Sequence, residues 1–373
     1  MTRKTNTNLN IRVVGVDLHS DNFYATYDTI DGSVKTEIFP YTKESINRFL
    51  AVMKANHVKK AFIESTGSYY YPFASILEAN GIETYVFNAF KTKNPDIDKR
   101  DDSDSAWLYA LGKTGQVKAS RLVSPNILPL REATRLRFHI ADMIAASKKR
   151  IEGMLWRFGF LARNVSRRLE GKKFRGALKK ALLGRVDRRF REDSLIVSIV
   201  ERARSGLVGL DIILNELETL EYLMRRRDVV DEKIRKLAEP FMDKIEILMS
   251  MPGIRFTLAV AIFSEMGSID RFPSGRHLAS YAGLRPTLKQ SGRKRRYGRT
   301  SKKSNSRLRL YMFLVAKSAM RSHDPIARRF VDRLRRRGKH FNVIAVALAR
   351  KMLCIAWILL VRGVSWRNIR RIR

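Results

Sequence analysis

Residues 11–39 read IRVVGVDLHSDNFYATYDTIDGSVKTEIF, and this stretch decides the fold of the first third of the chain. Ile11 to Leu18 is rich in β-branched residues, and Phe23 to Ile30 follows in the same style. Asp31-Gly32 then stands before Val34 to Phe39 as a hairpin signal. Three consecutive antiparallel strands are expected.

Working outward, an amphipathic stretch (Lys43 to Asn56) precedes a buried strand (Ala61 to Ser65), a helix after Tyr69, a short strand (Glu83 to Asn88) and a helical segment from about Asp101 to Lys113. Three strands, helix, strand, helix, strand, helix is the order of an α/β domain of the ribonuclease H type. Residues 131–250 lack strand signals and read as long helices. Leu210, Ile213, Leu217, Leu220 and Met224 recur at heptad spacing over two repeats before Arg225, Arg226 and Arg227. Either a coiled coil or an amphipathic helix packed on a neighbour satisfies that seam. Arg163 to Arg191, rich in Arg and Lys, reads as a flexible basic arm. Beyond it, Met249 to Gly267 reads as a helix, a Pro-Gly turn and a second helix, either a phosphate-binding helix-hairpin-helix or an ordinary turn. A basic loop (Arg285 to Lys303) and two further helices complete the chain.

Of 373 residues, 74 are Lys or Arg and 36 Asp or Glu, a net charge of +38. The excess is segregated: +2 over residues 1–130, +12 over 131–200, −2 over 201–250 and +26 over 251–373. A polyanion is the natural partner. The most apolar stretch, Val343 to Val361, is cut by Arg350 and Lys351 and falls short of a membrane span, so it reads as a buried helix. The polar start, MTRKTNTNLN, carries no apolar signal segment. A single cysteine, Cys354, excludes a disulfide scaffold and multi-cysteine zinc sites and favours the cytoplasm.

The nearly neutral first domain carries the informative carboxylates. Asp17 sits in an apolar strand and Glu64 ends another. Such a group faces a cation or protrudes at a strand end, because unpaired burial costs several kcal/mol. Asp101 and Asp104, at i and i+3, share a helix face, although Asp98 and Asp102 form a rival pair and Asp96 to Asp104 together could be an acidic loop. If four carboxylates converge they need a divalent cation, and oxygen ligands without Cys or His suit magnesium or manganese. His19 reads as a solvent or substrate contact. Tyr69, Tyr70 and Tyr71 either stack on bases or pack in the core.

The segments GVDLHSD (15–21), FIESTGSYYYPFASIL (62–77), NAFKTKN (88–94), KRDDSDSAWLYALGKTGQV (99–117), MSMPGI (249–254), RFPSGRHLASYAGLRP (271–286), QSG (290–292) and GRTSKKSNSRLRLYM (298–312) occur in one order. Together they resemble the DEDD transposases of insertion sequences, the IS-one-ten type, with spacing similar to the eleven-eleven-like subgroup. The resemblance spans about residues 11 to 363. It implies a polar tail (1–10), a RuvC-like catalytic domain of the ribonuclease H fold (11–130), a helical coiled-coil linker with the basic arm (131–247) and a mainly α C-terminal transposase domain (248–373). Asp17, Glu64, Asp101 and Asp104 would be the catalytic and metal-binding carboxylates, with Mg²⁺ or Mn²⁺, and Ser291 the nucleophile. Arg100, Ser105 and Arg255 stand where the family usually has Thr, Ala and Gly.

On its own, a Ser-Gly in a basic loop is usually a turn. A nucleophile there makes physical sense because Arg293, Lys294, Arg295 and Arg296 would stabilise charge on a nearby phosphate. Arg299, Lys302, Lys303, Arg335, Arg336 and Arg337 extend the expected nucleic-acid surface. The resemblance further implies donor and target DNA, a structured guide (bridge) RNA, a homo-oligomer in which the carboxylates and the serine form one composite site, and a nucleoid-associated prokaryotic location. The rival readings are a junction-resolving nuclease using carboxylates and water alone, and a non-catalytic basic nucleic-acid-binding protein.

Overall fold

A computed structural model of the chain describes residues 11–65, 69–87, 101–115, 120–121, 126–291, 294–300 and 304–371, without the side chains of 101–103, 120–121, 286–291, 294–300 and 369–371. The chain divides into two compact units, residues 1–125 and 126–373.

The first unit is a six-stranded mixed sheet. β1 (Val13–Leu18), β2 (Asn22–Asp28) and β3 (Val34–Pro40) form the expected antiparallel meander. β4 (Lys60–Glu64) pairs parallel with β1, and β5 (Glu83–Phe87) pairs parallel with β4. β6 (Ser120–Arg121) closes the order β3-β2-β1-β4-β5-β6. Between β2 and β3 the Asp31-Gly32 signal sits in a five-residue turn, closed by Thr29 N–H donating to Ser33 O at 2.9 Å, with Gly32 at φ +88°.

Alternation along β1 divides its side chains between two cores. Val14, Val16 and Leu18 join Phe23, Phe39, Phe49 and Phe73 in a cluster that includes α1 (Lys43–Ala55) and α2 (Tyr70–Ala79). Four of those rings pack at centroid distances of 4.8–5.7 Å. Tyr69 and Tyr70 are partly buried against this cluster, which favours the packing reading of the tyrosine run. Val13 instead joins Phe62, Phe87, Leu108 and Leu111 beneath α3 (Asp101–Thr114).

α3 lies directly on the sheet. A Cβ on Gly15 would stand 2.2 Å from Tyr109 N and 2.4 Å from Ser105 O, and one on Gly112 would stand 2.2 Å from the Phe62 ring. Two glycines, one on each side of the interface, therefore let helix backbone and strand backbone nearly touch.

The second unit is mostly helical. α4 (Leu128–Arg157) and α8 (Leu210–Ala238) form an antiparallel hairpin, tied by Arg137 to Asp231 at 3.0 Å and Arg150 to Glu216 at 2.8 Å. All five heptad positions of α8 are buried, as is Leu223, and Val230, Ile234 and Ala238 carry the stripe past the arginine run.

Arg163 to Arg191 is not a flexible arm. α5 (Val165–Arg168) and α6 (Lys172–Leu182) bury Val165, Leu169, Phe174, Leu178 and Leu182, beside α7 (Ser194–Arg204). Five large apolar anchors, with Ala177 and Ala181 between them, fold a segment whose composition is dominated by charge. Nor is the expected linker separate from the C-terminal helices: Arg131 of α4 donates to Ser264 O at 2.8 Å and to Glu265 O at 2.9 Å.

The rest of the unit comprises α9 (Met242–Met249), α10 (Phe256–Met266), α11 (Gly275–Tyr281), α12 (Ser306–Ala319), α13 (Pro325–Arg336) and α14 (Phe341–Arg362). In the Pro-Gly turn between α9 and α10, a Cβ on Gly253 (φ +82°) would meet Ala319 N and Val315 O at 2.9 Å. The glycine's close approach is thus made to α12 of the same chain. α14 is long and apolar enough to cross a membrane, but it buries Ile344, Leu348, Met352, Leu353 and Leu359 within this unit, as a core helix does.

Gly15→Ala should force α3 off the sheet and destabilise the first unit by about 2–3 kcal/mol, the upper range for overpacking. Chemical denaturation of the variant against the native chain measures it; an unchanged midpoint would contradict the close approach.

Candidate active site

Asp17 and Glu64 occupy adjacent positions at the ends of neighbouring parallel strands. Val16 pairs with Ile63, and each carboxylate is the next residue along. Strand alternation puts Asp17 on the face of Val13 and Gly15, and Glu64 on that of Phe62, which is the face α3 covers. α3 runs antiparallel to β1: Lys113 near its end reaches Ile11 O at 3.0 Å, while Ser105 and Tyr109 cover Gly15. Its first turns therefore point toward Asp17.

The electrostatics agree. Burial pushes the Asp17 carboxyl above its ordinary value, and the charges of Asp104 and Glu64 push it the same way, against a lowering by His19. His19 Nε2 hydrogen bonds to Asp17 Oδ2 at 3.0 Å. Asp104 and Glu64 are thus each within electrostatic reach of Asp17. Asp101 opens α3, three residues before Asp104, and its side chain lies outside the described residues, as does all of Asp98. Among the described residues, no three Asp, Glu, His or Cys side chains stand close enough to hold one ion.

Ser105 is fully buried and shares a hydrogen bond with Thr26 Oγ1 at 2.8 Å, which in turn contacts Thr36 Oγ1 at 2.9 Å. A hydroxyl is accommodated there because β2 and β3 offer two others.

A further carboxylate, which no sequence pattern singles out, holds α3 in place. Asp28 ends β2, nearly buried, and accepts from Val13 N–H at 2.7 Å, Tyr109 O–H at 2.7 Å and Lys113 Nζ at 2.8 Å. Burial and this carboxylate hold the Tyr109 phenol well above its ordinary range. No local signal marks Asp28, since its partners lie 15 to 85 residues away.

In the second unit the stretch expected as a basic loop is a β-hairpin. β7 (Pro286–Ser291) pairs with β8 (Lys294–Thr300), and Ser291, at the end of β7, pairs with Lys294 across a two-residue connection. Arg295 pairs with Gln290 and Arg296 with Lys289, while Arg299 also lies on β8. Arg293, Lys302 and Lys303 lie outside the described residues. The dense positive charge conceals the alternation that would have announced these strands.

The hairpin's root is fixed by a buried carboxylate. Asn305 N–H donates to Tyr281 O at 2.8 Å, and Asn305 Oδ1 caps α12 by accepting from Leu308 N–H at 2.9 Å. Asn305 Nδ2 donates to Glu265 at 2.8 Å, and the fully buried Glu265 also accepts from Arg135 Nε at 2.7 Å. Burial raises the Glu265 carboxyl, but the hydrogen bonds from Arg135 and Asn305 and the charge of Arg131 outweigh it and hold the group below its ordinary value. Arg335, Arg336 and Arg337 are exposed at the end of α13, with Arg335 3.8 Å from Asp332.

A mixed α/β unit with carboxylates at its central strand ends, joined to a strongly basic helical unit, is the setting in which comparison with known proteins becomes informative. A family model described as a DEDD transposase of the IS110 type matches residues 14–159, and one described as the transposase IS116/IS110/IS902 family matches residues 245–332. The insertion element IS110 uncharacterized 43.6 kDa protein of Streptomyces coelicolor is 32% identical over 164 residues, 44% of this chain and 40% of that protein. The transposase for insertion sequence element IS1111A of Coxiella burnetii is 30% identical over 161 residues (42% and 43%), and the pilin gene-inverting protein of Moraxella bovis 31% over 118 (31% and 36%). The alignments thus span about two fifths of these curated relatives. By these matches the chain is similar, over stretches of both units, to the IS110-type DEDD transposases.

Glu265→Gln should leave two arginines around an uncharged group and cost about 3 kcal/mol, as expected when one partner of a buried pair is removed. Because Glu265's folded pKa is lowered, its stabilisation is present above the ordinary carboxylate pKa and is lost as pH falls through the folded value. Acid unfolding followed by circular dichroism should therefore show a weaker pH dependence in the variant; identical curves would contradict the assignment.

Proposed function

We propose that this chain is a transposase or recombinase that cuts and rejoins DNA strands of a mobile element. The observation that carries this is the placement of Asp17 and Glu64 at neighbouring strand ends with Asp104, on α3, acting electrostatically on Asp17, in a chain whose second unit is strongly cationic. The sheet order, with three antiparallel strands followed by two parallel ones, supports reading the first unit as RuvC-like, of the ribonuclease H fold.

Asp17, Glu64, Asp104 and Asp101 are the proposed holders of Mg²⁺ or Mn²⁺. The donor set fits in its chemistry: all are oxygen ligands, and like charges already burden the partly buried Asp17. When bound, such an ion would supply charge stabilisation at a phosphoryl oxygen. His19, hydrogen bonded to Asp17, orients that carboxylate.

Ser291 is the proposed nucleophile. Its hydroxyl oxygen forms a bond to phosphorus as the bond to the leaving sugar oxygen breaks; the serine proton departs and the leaving oxygen takes up a proton. The reverse exchange, with a hydroxyl of another strand attacking the phosphoserine link, rejoins DNA and conserves bond energy. Lys294, Arg295, Arg296 and Arg299, with Arg293, Lys302, Lys303 and Arg335 to Arg337, would bind the polyanion. Site choice by a structured guide RNA and action as a homo-oligomer in the cytoplasm complete the proposal. The name of the pilin gene-inverting relative agrees with a strand-exchanging activity.

Ser291→Ala should abolish the covalent protein–DNA product in a denaturing gel while DNA binding persists; full cleavage by the variant would instead favour a water-using nuclease. Asp17→Asn should lower strand cleavage by about 10³-fold or more. Asp17's raised pKa means its ionised form costs the metal-free fold stability at neutral pH, a cost absent below the ordinary carboxylate pKa and incurred as pH rises through the folded value. In chelator, Asp17→Asn should therefore melt above the native chain. Mg²⁺ at about 100 times its Kd should stabilise only the native chain, by about 2.7 kcal/mol. Equal shifts in both proteins would refute the metal site.

A further inference from the structure

A cavity of about 380 Å³ in the second unit is lined by Arg276, Ala279, Arg285, Arg350, Lys351 and Cys354. It lies where α11 meets α14: a Cβ on Gly275 would stand 2.9 Å from Cys354 Cα, and Cys354 Sγ–H donates to Gly275 O at 3.3 Å. Four of its six lining residues are cations.

Among the described residues, none of those cations forms an ion pair within 4.0 Å. Residues 251–373 contain four acidic side chains, Glu265, Asp270, Asp324 and Asp332. Glu265 is buried between Arg135 and Asn305, and Asp270 accepts from Ser268 O–H. Asp324 caps α13 and accepts from Trp366 Nε1–H, while Asp332 faces Arg328 and Arg335. None serves the cavity. Lys351 Nζ lies 4.8 Å from the centre of the Phe330 ring, and Arg333 Cζ lies 5.3 Å from the same ring. The positive surface thus continues from the cavity across Phe330 onto α13, which ends in Arg335, Arg336 and Arg337. Arg285 directly precedes β7 in sequence.

A concave site lined by four cations, and a volume in the range of small-ligand pockets, selects an anionic group such as a phosphate. Continuity with the arginines of α13 favours one that belongs to a polymer. We propose that this cavity binds a backbone phosphate of a nucleic-acid strand, which then runs over Phe330 along α13. The inference rests on the reading of the chain as a nucleic-acid enzyme, and it adds a binding site outside the carboxylate centre and the serine.

The single cysteine makes a direct test, because Cys354 lines the cavity. The full native chain is titrated with fluorescent single-stranded DNA, single-stranded RNA and duplex DNA of equal length, with binding followed by anisotropy and Cys354 alkylation by mass spectrometry. At about ten times its Kd, the strand that occupies the cavity should slow alkylation about tenfold, as only the free fraction reacts. Which of the three protects identifies the source of the phosphate. In the Arg276→Gln/Arg350→Gln double variant, binding should weaken and the log-log salt slope should fall by about 1. Strand bound at saturation to that variant should leave Cys354 reacting at its free rate. Binding to the native chain without protection, or an unchanged affinity and slope in the variant, would overturn the site while leaving the transposase reading intact. Protection by single-stranded RNA alone would leave the site standing and assign it to a guide strand, while DNA that protects Cys354 but is never cleaved would count against the strand-exchange reading. Failure of all three nucleic acids to bind would overturn both.

Discussion

The geometry of the first unit depends on the contact of two backbones at Gly15. Carboxylates that repel one another cannot hold their own arrangement, so Asp17, Glu64 and Asp104 must be positioned by something indifferent to their charge. The approach of α3 to β1 does this: with only a hydrogen at Gly15, the helix rests on the strand at Ser105 and Tyr109. Gly112 over Phe62 fixes the rotation of α3 about its axis, and the Lys113–Asp28 pair fixes its far end. Nine residues of helix, about 13 Å, separate that pair from Asp104. The Lys113–Asp28 ion pair and Asp104 therefore sit toward opposite ends of one helix.

The second unit solves its problem in the same way. A hairpin whose sequence is crowded with lysine and arginine offers little apolar surface to anchor it. Its root is held by Glu265, one buried carboxylate serving α4, the start of α12 through Asn305, and the carbonyl edge of α10 through Arg131. Removing charge from such a node costs more than the node contributes relative to an apolar core. Asp28 and Glu265 are thus positional devices.

The range of the forces involved decides which features are legible in the sequence. The meander, the parallel strands, the positions of Asp17 and Glu64 at strand ends and the heptad stripe of α8 are local patterns, set by alternation or helical spacing within a dozen residues. The basic hairpin and the folded lobe around α6 escape such a reading because their apolar signal is sparse, five anchors in the lobe, and charge dominates the composition. Asp28 and Glu265 are illegible for a different reason. Their meaning lies in Lys113 and Arg135, 85 and 130 residues distant, and no local spacing encodes such a pairing. The choice of Asp101 with Asp104 over Asp98 with Asp102 comes from resemblance, and structure adds that Asp104 acts on Asp17.

The four acidic side chains of residues 251–373 explain why the positive charge there is functional in character. Each has a structural task, as a buried node, a turn acceptor, a helix cap or a partner within α13. None is left to neutralise the surface, so the excess of +26 cannot be compensated within this region. Uncompensated like charges destabilise a compact state by self-repulsion, and a sequence under no other constraint would relieve it with a few surface carboxylates. Keeping the repulsion is consistent with a fold completed by a polyanion. A bound polyanion would relieve that repulsion, so the stabilisation gained on binding should grow as salt is lowered, while the unbound unit is destabilised.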